Sequence, residues 1–229
     1  MEIKPKSTLV TGKQKKMTKD KFCITLSENN FTACYQAAKD AELIELRLDL
    51  VTFTDSELKK LFALKTKFIA TCRQNGKNNT ERIKKLKDAI DAGVDFIDIE
   101  IDSDFQEKMI MYARDKNCQI IISYHNFTRT PSLSELQKII DVGRKFNPWK
   151  IKIVTMANTP QDLSTVLSLY RNNTNLIAFC MGEKGKISRL ASLFLGADFT
   201  FVSPLKGKEV AEGQMDINTM VKLIEELKL

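Results

Sequence analysis

The hydrophobic pattern alternates between two periods along most of the chain. Short runs rich in Ile, Val, Phe and Thr recur at 21–26 (KFCITL), 43–48 (LIELRL), 67–72 (KFIATC) and 95–101 (DFIDIEI). They continue at 119–124 (QIIISY), 149–154 (WKIKIV), 175–181 (NLIAFCM) and 199–203 (FTFVS). β-branched and aromatic residues at this density predict strands. Between them the apolar positions fall at helical spacing. Ile83, Leu86 and Ile90 share one face, with Gly93 placed to end the helix. Leu133, Leu136 and Ile140 form a second face, and Leu163, Val166, Leu167 and Tyr170 a third. Leu190, Leu193 and Phe194 precede Gly196, and Ile217, Met220, Ile224 and Leu227 make the last face. Thr159-Pro160 reads as an N-cap followed by proline at the first helical position.

Eight strand–helix units in about 210 residues predict a closed (β/α)₈ TIM barrel. The competing arrangement is an open doubly wound sheet, which carries a Gly-rich phosphate loop after its first strand. The segment after 21–26 reads SENNF and has no glycine. The expected organisation is one catalytic domain over residues 21–229. Residues 1–20 form a basic lead, either a tail or a hairpin across the barrel floor with Thr11-Gly12 as its turn.

Composition narrows the function classes. The 229 residues carry a net charge of +7, but seven lysines lie within the first 21 residues and account for most of it. No aromatics interleave with them, so a nucleic-acid partner is not expected. No apolar run is long enough for a membrane span, and no secretory h-region opens the chain. The five cysteines are odd in number and lack CxxC spacing, which points to free thiols in a reducing cytoplasm and to no metal site.

Chemistry in such barrels sits at the C-terminal ends of the strands. Glu45 and Arg47, Thr71 and Arg73, Asp98 and Glu100, Ser123 and His125, and Lys152 all fall near such ends, with Ser188 and Arg189 in the loop after the seventh strand. With Ile151 and Ile153 on the helix side, Lys152 points into the barrel. A buried amine there either pairs with a carboxylate or gives up its proton and becomes a nucleophile. Lys150 has the same parity. His125 is the only histidine in the chain. It is either a strand-end structural residue or the proton shuttle that its near-neutral titration suits. Asp98 is expected to be structural, and Glu45/Arg47 and Asp98/Glu100 are candidates for internal ion pairs.

From about residue 21 onward the chain resembles type I 3-dehydroquinate dehydratase. The segments that carry the resemblance are ELRLD (45–49), ATCR (70–73), FIDIE (96–100), SYHNF with TP (123–131), KIVTM (152–156), MGEKGKISRL (181–190) and EGQ (212–214). The resemblance implies a lysine imine at Lys152 with the C3 ketone of 3-dehydroquinate. It implies His125 as the base that removes a C2 proton and as the acid that releases the C1 hydroxyl. It further implies substrate binding by Glu45, Arg47, Arg73, Arg189 and Gln214, with Arg189 on the carboxylate and Thr25 a weaker candidate. No cofactor is implied, and a cytoplasmic homodimer is.

Three features depart from the family pattern, the mildest being the basic lead at 1–20. After Arg73, many members carry a glutamate in a Gly-rich loop that orients the histidine. Here QNGKNNT offers no carboxylate before Glu81. The covering loop reads Val210-Ala211-Glu212-Gly213-Gln214, which removes a serine contact and adds a negative charge near an anionic substrate. A raised Michaelis constant is the expected result. Two other functions fit the same residues: a class I aldolase-type Schiff-base barrel, with GEKG (182–185) as a faint phosphate site, and a catalytically weakened barrel that binds without turnover.

Overall fold

A computed structural model of the chain describes residues 21–74, 76 and 78–227. The predicted lead at 1–20, with its Thr11-Gly12 turn, lies outside these residues. Eight strands alternate with eight helices: β1 (Phe22–Leu26), α1 (Phe31–Lys39), β2 (Leu43–Arg47), α2 (Asp55–Phe62), β3 (Lys67–Thr71), α3 (Asn79–Asp91), β4 (Phe96–Glu100) and α4 (Gln106–Asp115). The order continues with β5 (Gln119–Asn126), α5 (Leu133–Arg144), β6 (Lys150–Met156), α6 (Pro160–Ser168), β7 (Leu176–Met181), α7 (Lys186–Leu195), β8 (Thr200–Val202) and α8 (Ile217–Glu226).

All pairings are parallel, and the hydrogen-bonded order runs β7-β6-β5-β4-β3-β2-β1-β8. β7 and β8 are the two ends of that order, and the Phe179 and Phe201 rings meet across them at 6.2 Å. The result is a nearly closed (β/α)₈ barrel. Each predicted strand run is a strand, with ends displaced by one or two residues.

Alternation within each strand divides two cores. The outward residues of β2 and β3, among them Ile44, Leu46, Phe68 and Ala70, pack under the helices. Ile151 and Ile153 of β6 do the same beneath α5 and α6 with Leu136, Ile140 and Val166. Most inward residues of the lower barrel are also apolar: Cys23, Leu43, Ile69, Ile121, Ile177, Phe199 and Phe201. Trp149 stacks on Phe96 at 4.1 Å and on Phe199 at 5.8 Å. Each large apolar side chain removed from water contributes about 1.5–3 kcal/mol. This floor leaves the upper interior to polar groups.

Several helix starts are fixed by side-chain caps. Asn30 caps α1, Thr54 with Glu57 and Ser132 with Glu135 form capping boxes on α2 and α5, and Asp216 caps α8. Each such cap stabilises by about 1 kcal/mol. Thr159-Pro160 opens α6 as expected, and Asp162 accepts from the Thr159 N–H. Three predicted core positions are exposed instead: Leu133, the first residue of α5, Phe194 near the end of α7, and Leu227, just after α8. No helix among the described residues is long and apolar enough to cross a membrane. All five cysteines are buried and outside any disulfide among the described residues.

Candidate active site

The polar interior opens at the C-terminal ends of the strands into a cleft of about 650 Å³. Glu45, Arg47, Arg73, His125, Lys152, Arg189 and Gln214 all line it, so the structure brings the seven sequence-selected residues together. The volume is in the usual range for a small-molecule site.

Lys152 stands in the middle of β6, opposite Ser123 of β5 in the strand register. Its side chain is buried, with Nζ 3.2 Å from Asp98 Oδ2 and 3.6 Å from Glu45 Oε1. The Phe201 ring centroid lies 3.8 Å from the same nitrogen. The amine therefore rests on an apolar ring and faces two carboxylates. Of the two fates open in the sequence, pairing describes this state. Lys150 is settled separately: Nζ pairs with Asp198 and with Asn175 Oδ1, which precede β8 and β7 at the opposite end of the barrel.

Asp98 is the hub of the site. It accepts from Arg73 Nη2 at 2.7 Å, from Ser123 Oγ at 2.5 Å and from Lys152. Burial alone would raise its pKa, but Arg73 and then Lys152 hold it well below the ordinary carboxylate range. Arg73 is largely buried in turn, and Asp98 and Glu100 more than offset the cost of that burial to its charge. Glu45 accepts from Thr25 and Thr71, each at 2.9 Å. Gln214 Nε2 donates to Thr25 Oγ1 at 3.2 Å, and its Oε1 accepts from the Val210 N–H at 2.9 Å. The covering loop is thereby tied to the barrel interior.

The three arginines differ. Arg47 is bound bidentately by Asp49, at 3.0 and 2.7 Å, and Arg73 is held by Asp98 and Ser123. Arg189 makes no ion pair among the described residues, and its buried Nε has no hydrogen-bond partner there. Its guanidinium lies 4.3 Å from the Phe179 ring centroid. Burial lowers its pKa to about 10, with Glu45 the main opposing influence, so it remains a cation at neutral pH.

His125 sits near the end of β5, one side-chain period beyond Ser123. Burial, followed by Arg73 and Lys152, pushes its pKa well below the ordinary histidine value. That environment favours the neutral imidazole, the form that can act as a base. Its Nδ1 is 4.0 Å from Glu100 Oε1 and has no hydrogen-bond partner among the described residues. Phe127 lies almost parallel to the ring, 6.0 Å away.

Three sequence expectations are corrected here. Ser188 and Arg189 lie in the first turn of α7 rather than in a loop. Only Arg189 faces the cleft, because Ser188 Oγ donates to the Gly185 carbonyl and accepts from the Cys180 N–H. The covering-loop acid that lines the cleft is Glu209, not Glu212. GEKG does not present all its amides to a phosphate, since the Gly182 and Gly185 N–H groups go to the carbonyls of Glu212 and Gly182. Gly182 and Gly213 meet so closely that a Cβ on Gly213 would stand 2.5 Å from the Gly182 oxygen. Sequence reasoning missed Arg82, a buried residue of α3 whose Nη2 donates to Glu100 Oε2 at 2.6 Å. No group of three or more His, Cys, Asp or Glu residues arranged to hold a metal occurs among the described residues.

A parallel barrel whose C-terminal cleft gathers a lysine, a histidine and an arginine with no ion pair among the described residues has the make-up of a (β/α)₈-barrel enzyme. The chain belongs to the type I 3-dehydroquinase family, whose model matches residues 22–229. The 3-dehydroquinate dehydratase of Archaeoglobus fulgidus is 35% identical over 199 residues, covering 84% of this chain and 93% of that protein. That of Methanococcus maripaludis is 33% identical over 218 residues, covering 89% and 98%. The crystal structure of the Aquifex aeolicus 3-dehydroquinate dehydratase superposes with a TM-score of 0.76 at 27% identity, over 90% of this chain and 97% of that one.

Proposed function

We propose that this chain dehydrates 3-dehydroquinate to 3-dehydroshikimate through an imine on Lys152. The observation that carries this reading is the convergence of three groups on one cleft: Lys152, His125 and Arg189, the last with no ion pair among the described residues. Arg189 takes the substrate carboxylate, since a fixed guanidinium offers it paired donors. Glu45, Arg47, Arg73 and Gln214 complete the substrate contacts, with Glu45 accepting from ring hydroxyls.

The amine of Lys152, once it has given up its ammonium proton, adds to the C3 ketone, and loss of water forms the imine. His125 removes a C2 proton, and the C–H electron pair moves toward the imine nitrogen as an enamine. The enamine pair then returns, the C1–O bond breaks, and the proton held by His125 leaves with the hydroxyl as water. A second water hydrolyses the imine and frees the enone product. The lowered pKa of His125 supports its part, because a neutral imidazole can accept the C2 proton at neutral pH.

In this reading the catalytic domain takes in residues 21–229 with 1–20 as a basic lead. The enzyme works as a cytoplasmic homodimer on a small-molecule substrate of the shikimate pathway. The engaged amides of Gly182 and Gly185 weigh against a phosphate-binding aldolase. The test is to add 3-dehydroquinate and follow the ultraviolet absorbance of the conjugated product. A steady rise that scales with enzyme is expected, and tight binding of the substrate with no rise would leave a binding protein.

A further inference from the structure

His125 needs a partner on Nδ1 if its Nε2 lone pair is to act as the base, because a neutral imidazole carries one proton. The carboxylates around it can be separated by what already occupies them. Both oxygens of Glu45 accept threonine hydroxyls. Asp98 Oδ1 accepts from Ser123, and Oδ2 from Arg73 and Lys152. Glu100 is different. Its Oε2 is fixed by Arg82 at 2.6 Å, while its Oε1 accepts no hydrogen bond among the described residues and stands 4.0 Å from His125 Nδ1 and 3.7 Å from Arg73 Nη1. Arg82 is itself held, with Nε donating to the Cys72 carbonyl at 3.1 Å and the guanidinium 4.9 Å from the Phe105 ring centroid. Glu100 pairs with Ser123 in the strand register, so His125 projects on the same face one period further along.

We infer that Glu100, anchored by Arg82, is the residue that positions His125, closing on Nδ1–H through Oε1 and leaving Nε2 free as the base. It does the work that the loop after Arg73 cannot, since residues 74–80 contain no carboxylate. This inference rests on His125 being the base of the proposed reaction. Glu100 touches no reacting atom and is a positioning residue. The charged groups facing His125 are Arg47 from β2, Arg73 from the end of β3, Asp98 and Glu100 from β4 and Lys152 from β6. Of these only Glu100 offers an acceptor without a donor.

The single histidine makes the test direct. A long-range proton–nitrogen NMR spectrum of the uniformly ¹⁵N-labelled full chain reports the His125 tautomer without assignment. The Nδ1–H form is expected to predominate in the unaltered protein. In Glu100→Gln the amide oxygen is drawn to Arg82 and the NH₂ turns toward Nδ1, so the Nε2–H form should grow. In the same variant kcat should fall on the order of tenfold, a part of the roughly 10²–10⁴ that positioned acid–base groups contribute, with KM little changed. The acid limb of the pH–rate profile should move to lower pH by about one unit, because removing a nearby carboxylate disfavours the imidazolium. An Nε2–H ring in the unaltered protein, or a tautomer and acid limb untouched in Glu100→Gln, overturns the inference. The spectrum of the unaltered protein decides the matter even if the variant fails to fold. Absence of any product with the unaltered protein would instead count against the proposed reaction.

Discussion

The two walls of the cleft solve opposite problems. On the β3–β5 wall each charge has an opposite partner: Arg73 with Asp98, Arg82 with Glu100, and Lys152 reaching across to Asp98. On the β7–β8 wall Arg189 lies over Phe179, buried and without an ion pair among the described residues. A buried pair that loses one member leaves an uncompensated charge, which costs about 3–5 kcal/mol. A buried cation with no partner is unfavourable as it stands and is relieved by an anionic ligand. The first wall holds the site in shape, and the second is where binding free energy from a carboxylate can be gained.

Lys152 stands between the walls, and replacing it has the largest expected effect. Lys152→Ala should reduce turnover to background and abolish any borohydride-trapped adduct. His125→Ala comes next, with a loss of roughly 10²–10⁴ in kcat while the trapped adduct still forms. The arginines then separate the walls. Arg73→Ala should lower unfolding free energy by about 3–5 kcal/mol in a denaturant titration, because Asp98 stays buried with one fewer cation. Arg189→Met should leave that free energy within about 1 kcal/mol or raise it. It should also raise KM on the order of 10- to 100-fold, the loss of a charged hydrogen-bond pair. If the two variants exchanged these signatures, the contrast between the walls would be wrong. The smallest effect is on pH. Because the His125 pKa is lowered, its base form persists below the ordinary value of about 6.5. Its acid limb in kcat/KM should therefore lie under that pH, and a limb above it would contradict the burial argument.

Much of this was readable from side-chain period. The eight strands followed from β-rich runs at regular spacing, and the inward direction of Lys152 followed from Ile151 and Ile153 belonging beneath the helices. Pairing was less readable, because it depends on register between strands far apart in sequence. Nothing local distinguishes Arg73, which meets Asp98, from Arg189, which meets an aromatic ring. Arg82 reads as an exposed residue in the first turn of a helix until α3 is laid against β4. The covering loop has no period, so its acids could not be ranked, and Glu209 rather than Glu212 reached the cleft. Leu133, Phe194 and Leu227 fit helical spacing but sit at or near helix ends, where the apolar face has already left the core.

The central claim is that Lys152 carries the substrate. The most direct measurement is intact-protein mass spectrometry after addition of 3-dehydroquinate and then borohydride, followed by peptide mapping. The account predicts one added mass corresponding to the reduced adduct of the dehydrated substrate, located on Lys152. A folded, product-forming protein with no adduct, or with the adduct on another lysine, would contradict it.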